Sequence, residues 1–349
     1  MKTDSYEINL GNFNNEIRNK AESDPIIFWD EQAKKLSWFK KWKQTLDWKP
    51  PFAKWFVGGK INASFNTLDI HQNDKSLKTA IFWEGEDGSS RTISYSELFI
   101  EVKKFSNVLK SLGVKNGDRV TIYLPMVPEL IISMLACARI GAIHTVVFSG
   151  FSTISLKDRV EDSQSKIIIT ADGGYRKGKI INLKEIVDEN AAGVDSVEHV
   201  IVLERAKNKI ALNKKDKLWT DLMKNASDVC NPEELDSNHP LYILYTSGTT
   251  GKPKGVLHGI GGYLTHLYST YKWAFDIKDD DIYFCTADIG WVTGHSYVAY
   301  GPLLHGATQV MYEGAPDYPK PSRMWEIIQK YNVSIFYTTP TALRMFMKF

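Results

Sequence analysis

The chain has 349 residues, a length that suggests about two domains, with 43% hydrophobic and 24% charged residues, ordinary values for a soluble globular protein. Its 43 basic and 41 acidic residues leave a net charge of +2, which gives no reason to expect nucleic acid or an acidic membrane surface as partner. The three cysteines, Cys137, Cys230 and Cys285, are too far apart for a disulfide framework or a metal-ligand spacing and fit a reducing, cytoplasmic setting.

Residues 1–80 begin with a polar stretch that lacks an apolar signal core. They continue as an irregular, aromatic-rich segment, FWDEQAKKLSWFKKWKQTLDWKPPFAKWF, punctuated by Pro50-Pro51 and Gly58-Gly59. A short helix is expected near 31–36, and the aromatics are expected to pack the segment onto something larger. From residue 81 the pattern alternates regularly, and 81–349 is read as the main domain. Ser94-Tyr95-Ser96-Glu97 spells a capping box that opens a helix reaching Leu112, with Gly113 as its stop. A strand at 120–124 precedes a helix that starts on Pro128, runs to about Ile140 and leads to a strand at 143–148. The apolar stretch 129–151 is broken by Arg139, Gly141 and His144, so it reads as a helix and a strand rather than a membrane span. A helix at 153–163, a strand at 166–171, a helix at 180–190 and a strand at 198–204 follow. A polar connection, 205–239, carries a lysine-rich run at 207–217 that reads as a solvated loop. Strands at 241–245 and 255–258, a helix at 261–272, a strand at 282–286, a helix at 296–301, a strand at 308–312, a helix at 321–331 and a strand at 333–337 complete the series. The fold class is α/β, with repeated βαβ units and mainly parallel sheets. The chain closes inside TTPTALRMFMKF, an apolar helix with no stop signal, so the domain is expected to be truncated.

Four stretches could carry chemistry. YTSGTTGKPKGV at 245–256 holds Thr246, Ser247, Gly248, Thr249, Thr250, Gly251, Lys252 and Lys254. It is not a Walker loop, because no Ser or Thr follows Lys252 and the spacing is short. Pro253 sits badly in a helix, so the loop is expected to join two strands. Its backbone N–H groups can then form an anion nest, with hydroxyls and lysines adding donors and charge; a simple Gly/Ser tip is the alternative. ADGGYRKGK at 171–179 places Arg176, Lys177, Gly178 and Lys179 at the carboxyl end of a strand, where ligands bind in open α/β sheets. Three cations among glycines suit a phosphorylated ligand, and a solvated turn is the alternative. In ADIGWVTGHS at 287–296, Trp291 could wall a narrow pocket, Val292 line it and Thr293 donate into it, against the alternative of a core tryptophan beside a turn. His295 alone reads as a structural hydrogen-bonding residue. EGAPDYP at 313–319 is a further strand-end loop. No Ser-His-Asp order, HExxH or CxxC supports a hydrolase or a zinc site.

Together these stretches resemble the adenylate-forming enzymes, and most closely the AMP-forming acetyl-CoA synthetase family. The resemblance rests on YTSGTTGKPKGV, on DIGWVTGHSYVAYGPLLHGAT at 288–308, on EGAPDYP, on LPMVPEL and MLACARIGAIHTVVFSGFS within 124–152, and on KINASFNTLDIH at 60–71. It implies the incomplete N-terminal domain of that fold. It also implies a reaction in which acetate attacks Mg·ATP to give acetyl-adenylate, which then acylates coenzyme A. By the resemblance, residues 246–254 hold the ATP phosphates; Trp291, Val292 and Thr293 shape the acyl pocket; and Arg176, Lys177, Gly178, Lys179, Thr293 and Asp317 contact coenzyme A. Two departures stand out. Lys179 replaces an arginine common in relatives, which weakens bidentate phosphate binding, and Asp317 brings a negative charge where an amide is common. The family's magnesium ligands, catalytic lysine and mobile C-terminal domain lie beyond this chain, so it is expected not to complete the reaction alone. A propionyl-CoA or other short-chain acyl-CoA ligase, and a non-catalytic nucleotide- or CoA-binding remnant, are the alternatives.

Overall fold

A computed structural model describes residues 15–149, 153–246 and 253–349. The runs RVTIY, IHTV, IIITA and HVIVL are apolar on both faces, as strands covered on both sides must be. They lie inside a seven-stranded sheet ordered Asp216–Leu218, His199–Leu203, Ile167–Ala171, Arg119–Tyr123, Ile143–Val146, Pro240–Thr246 and Lys254–Gly259. All neighbours run parallel except the last two strands, which form a hairpin. A five-stranded sheet takes Ile335–Tyr337, Ile282–Cys285, Thr308–Glu313, Thr79–Gly85 and Ser90–Ser94 in that order, again parallel except for the final pair. The α/β class with mainly parallel sheets is therefore as expected.

The helices that cover the sheets follow local chemistry. Helix Tyr95–Ser111 opens on the capping box: the Glu97 N–H donates to Ser94 Oγ at 3.2 Å and the Ser94 N–H to Glu97 Oε2 at 2.7 Å. Gly113 ends it at φ +83°. Helix Pro128–Arg139 is buried along all 12 residues, which explains why it is apolar nearly all round.

Several elements differ from the sequence expectation. The first region forms helices Asn15–Ser23 and Pro25–Ala33 rather than one near 31–36. Asp24 fixes the second start by accepting from the Ile26 and Ile27 N–H groups, with Pro25 in the first turn. A hairpin, Gln44–Lys49 with Phe52–Val57, turns at Pro50-Pro51. The aromatics do pack onto the larger body: Phe28 and Trp29 lie 5.7 Å and 6.3 Å from Trp273, and Ser237 Oγ donates to the Trp55 and Phe56 carbonyls. Helix 180–190 begins only at Leu183, because Ile180 and Ile181 belong to a strand, Lys179–Ile181. The polar connection hides an edge strand, Asp216–Leu218, and a helix, Trp219–Lys224, whose Trp219 stacks on Phe105 at 4.0 Å. A single indole in a polar run buries enough area to fix a short helix. Helix 296–301 is part of one helical run, Val292–Gly294, a π-helical turn His295–Tyr300, and Gly301–Leu304.

Candidate functional site

The carboxyl ends of strands from both sheets open on a cavity of about 330 Å³, where an α/β fold gathers its loops. Met126, Phe148, Arg176, Asp288, Glu313 and Thr338 are among its walls. Arg176 sits at the end of strand Gly174–Arg176, with its guanidinium 5.9 Å from the Phe148 ring centre. Asp288 is half-buried opposite; burial pushes its carboxyl up to about 6, and its bond from the Gly290 N–H and the Arg176 charge only partly oppose this.

The RKGK stretch is a tight hairpin. Gly174–Arg176 pairs antiparallel with Lys179–Ile181, Arg176 facing Lys179 across the ladder. Lys177 and Gly178 turn the chain with φ of +52° and +72°, both left-handed, the conformation whose twist suits a two-residue hairpin turn. Lys177 Nζ lies 3.1 Å from Asp317 Oδ2, so the structure brings the RKGK hairpin and the EGAPDYP loop together. Arg176 and Lys179 make no ion pair among the described residues and are exposed. Two residues that the sequence reading did not single out support this corner. Arg205 lies between the Trp83 and Tyr175 rings, at 4.9 Å and 4.6 Å, and its Nε donates to Glu313 Oε2 at 2.8 Å. Glu86 accepts from the Gly178 N–H at 2.8 Å. Nothing local marks them, because their partners are 108 and 92 residues away in sequence.

A second cavity, about 700 Å³, has Val292, Thr293, His258, Tyr263 and Leu257 in its walls. Trp291 precedes the helical run at 48% exposure, so it is not a core tryptophan. Thr293 is thus placed with Val292 rather than among the walls of the Arg176 cavity. Gly290, between Asp288 of the first cavity and Val292 of the second, packs so closely on Phe148 that an added Cβ would come within 2.9 Å of it. His295 is fully buried, and burial pushes its pKa down to about 4. It stacks on His144 with ring centres 5.7 Å apart, and its Nδ1 lies 3.3 Å from the Trp291 carbonyl while its Nε2 has no hydrogen-bond partner among the described residues, so only part of the hydrogen-bonding role expected of it is filled.

The loop 246–254 joins two antiparallel strands, with Thr246 paired to Lys254 and both side chains exposed at the hairpin end. It therefore leads into a strand and not a helix, as its Pro253 required. Ser247, Gly248, Thr249, Thr250, Gly251 and Lys252 lie outside the described residues. Among the described residues, no group of three or more His, Cys, Asp or Glu is gathered as a metal site, and no helix is long and apolar enough to cross a membrane.

A family model described as AMP-binding enzyme matches residues 69–349, and one described as acetyl-coenzyme A synthetase N-terminus matches residues 15–67. Acetyl-coenzyme A synthetase of Chlorobaculum tepidum is 53% identical over 330 residues, 94% of this chain and 50% of its own length. The protein of the same name from Rubrobacter xylanophilus is 56% identical over 335 residues, 95% of this chain and 52% of its own. Among solved structures, acetoacetyl-CoA synthetase from Streptomyces lividans superposes with a TM-score of 0.87 at 25% identity, covering 95% of this chain and 51% of that one. The chain spans about half the length of the curated relatives it matches.

Proposed function

The chain belongs to the AMP-binding enzyme family, and on that premise we propose that it serves acetate activation. In this reading ATP and acetate give acetyl-adenylate and diphosphate, and the coenzyme A thiol then takes the acetyl group with release of AMP. The curated relatives described above are named acetyl-coenzyme A synthetase, which supports the reading. The structural observation that carries the reading is the cleft at the strand ends, with the cationic RKGK hairpin on its rim and Val292 and Thr293 in the neighbouring cavity. Bringing an acetate anion to a polyphosphate requires donors that offset the charge. Thr246 and Lys254, with 247–252 between them, are assigned to the β- and γ-phosphates of ATP. Arg176, Lys177, Gly178, Lys179 and Asp317 are assigned to coenzyme A. Val292 and Thr293, beside Trp291, are assigned to the acyl group, and the Thr293 hydroxyl also to coenzyme A. None of the described residues is assigned to the magnesium that accompanies ATP in such reactions. Buried, free Cys137, Cys230 and Cys285 support a cytoplasmic setting. The division into an N-terminal extension to residue 80 and a domain over 81–349 stays part of the proposal.

Because the 349 residues span about half the length of those relatives, we propose that they bind ATP and coenzyme A without completing turnover by themselves. Equilibrium dialysis against each ligand, with an assay of acetate-dependent AMP formation, tests this. Binding of both with no AMP is the expected outcome. Binding of neither rejects the reading, and sustained AMP and acetyl-CoA formation refutes the statement on turnover.

A further inference from the structure

We propose that Glu86 is the positioning residue of the cleft. It fixes the RKGK hairpin and the EGAPDYP loop in one register, so that Arg176 faces a phosphorylated ligand. The proposal rests on the coenzyme A reading of that hairpin.

The geometry is a single carboxylate shared by two loops. Glu86 Oε1 accepts from the Gly178 N–H at 2.8 Å, and Glu86 Oε2 accepts from the Ala315 N–H at 2.8 Å. Glu86 is 8% exposed; its bond from the Ala315 N–H is buried and that from the Gly178 N–H part-buried, and backbone donors to a carboxylate make strong bonds. The three elements come from different parts of the fold. Glu86 follows strand Thr79–Gly85 of the five-stranded sheet, and Ala315 follows strand Thr308–Glu313 of the same sheet. The hairpin follows strand Ile167–Ala171 of the seven-stranded sheet. One side chain therefore ties loops that follow strands of both sheets.

The hairpin needs such an anchor. Each of its strands has three residues, and a two-stranded hairpin alone is marginally stable. The Lys177–Asp317 pair adds little, because the Lys177 side chain is 61% exposed, and the Tyr175 N–H, which donates to Glu313 Oε1 at 3.2 Å, holds the first strand but not the turn. A carboxylate under a cationic hairpin would ordinarily repel an anionic ligand. Here both oxygens are taken by backbone amides, which offsets that charge.

The test compares Glu86→Gln, Arg176→Ala and the double variant in the 349-residue chain. Dissociation constants for coenzyme A and for ATP are measured by equilibrium dialysis, and hydrogen exchange is followed over 174–181 and 313–319. Gln keeps the size of the side chain and one acceptor oxygen but presents an NH₂ to the other amide. The expected result is faster exchange at both loops and coenzyme A binding weakened by about tenfold in Glu86→Gln, equivalent to about 1.4 kcal/mol. ATP binding stays within about twofold. Adding Glu86→Gln to Arg176→Ala costs less than the sum of the two single losses, because both act through one hairpin. Unchanged coenzyme A affinity in Glu86→Gln while Arg176→Ala weakens it, or additive losses in the double variant, overturns the positioning role alone. No coenzyme A binding by the unaltered chain, or equal binding by Arg176→Ala, rejects the hairpin reading itself and the proposal with it.

Discussion

Asp317 brings a negative charge to a loop assigned to an anionic ligand, yet it is not an isolated charge. Its carboxylate is 3.1 Å from Lys177 Nζ, so the hairpin loses the use of one of its three cations. Asp317→Asn removes the pair and leaves one more net positive charge at the rim. Coenzyme A affinity is expected to rise about two- to fivefold at low ionic strength and less in high salt, where exposed charges are screened. Dialysis at two salt concentrations checks this, and a gain that ignores salt would contradict the charge argument. Asp288 gives a prediction in pH. Burial holds its folded pKa at about 6, above the ordinary value of 3.8, so the folded chain binds more protons than the unfolded chain between those values. Its contribution to stability is therefore greatest below 3.8 and falls as pH rises to about 6. Asp288→Asn can keep the acceptor for the Gly290 N–H and removes the charge. The expected gain is about 1 kcal/mol at pH 8, roughly 2 °C in Tm, and none at pH 4. Equal shifts at both pH values would rule out titration of Asp288 as the cause. That Arg176, Lys177 and Lys179 cluster just past the end of strand Ile167–Ala171 was legible in sequence, because glycines flank them, whereas Val292 and Thr293 open a helical run and not a loop. Glu86 and Arg205 were not, since their importance comes only from partners on distant strands.

At the scale of elements, the RKGK hairpin shows why a strand can pass for a helix. Ile180, Ile181, Leu183 and Val187 fit a helical apolar spacing, and only Gly178 signals a turn. Lys177 at φ +52° carries no sequence mark, because a non-glycine residue rarely takes that conformation. Capping chemistry was readable where it is spelled in consecutive residues, as at Ser94–Glu97 and Pro128. The π-helical turn His295–Tyr300 was not, as no residue type specifies it. The turn can be tested through two glycines. Gly178 has φ +72°, and an added Cβ would clash with Tyr318 Oη; Gly113 has φ +83°, but its nearest neighbour would be Lys166 Nζ at 3.6 Å. Gly113→Ala should cost about 1 kcal/mol from backbone strain alone. Gly178→Ala should cost about 1 kcal/mol more, because Tyr318 must move as well. Denaturant midpoints of the two variants decide it; equal costs would mean that Tyr318 yields freely and does not brace the turn.

For the whole molecule, sheet order could not be read from sequence, because parallel neighbours are chosen by crossover paths and not by adjacent residues. The N-terminal segment shows the same limit. Its aromatics promised docking and do dock, but polar links that the sequence did not announce also reach the end of helix Pro128–Arg139. Asn62 Nδ2 donates to the Ala138, Arg139 and Glu233 carbonyls at 3.0–3.1 Å, satisfying acceptors that a helix end leaves open. Arg139, which in sequence only interrupted an apolar stretch, is 1% exposed and joins three regions. Its two terminal nitrogens meet the Asp69 carboxylate at 2.8 Å and 2.9 Å, and its Nε donates to the Cys230 carbonyl at 2.7 Å. A fork of this kind satisfies a buried guanidinium only while every partner stays in place. Arg139→Ala would leave Asp69 and the Cys230 carbonyl unpaired and open a void, so it should cost about 3–5 kcal/mol in urea unfolding. Replacing both charges, Arg139→Met with Asp69→Leu, removes the uncompensated carboxylate and should recover most of that loss. Recovery would assign the penalty to the stranded charge. A double variant as unstable as Arg139→Ala would assign it instead to the lost tie at Cys230, and with it the joining of residues 60–71 and 226–236 to the central helix.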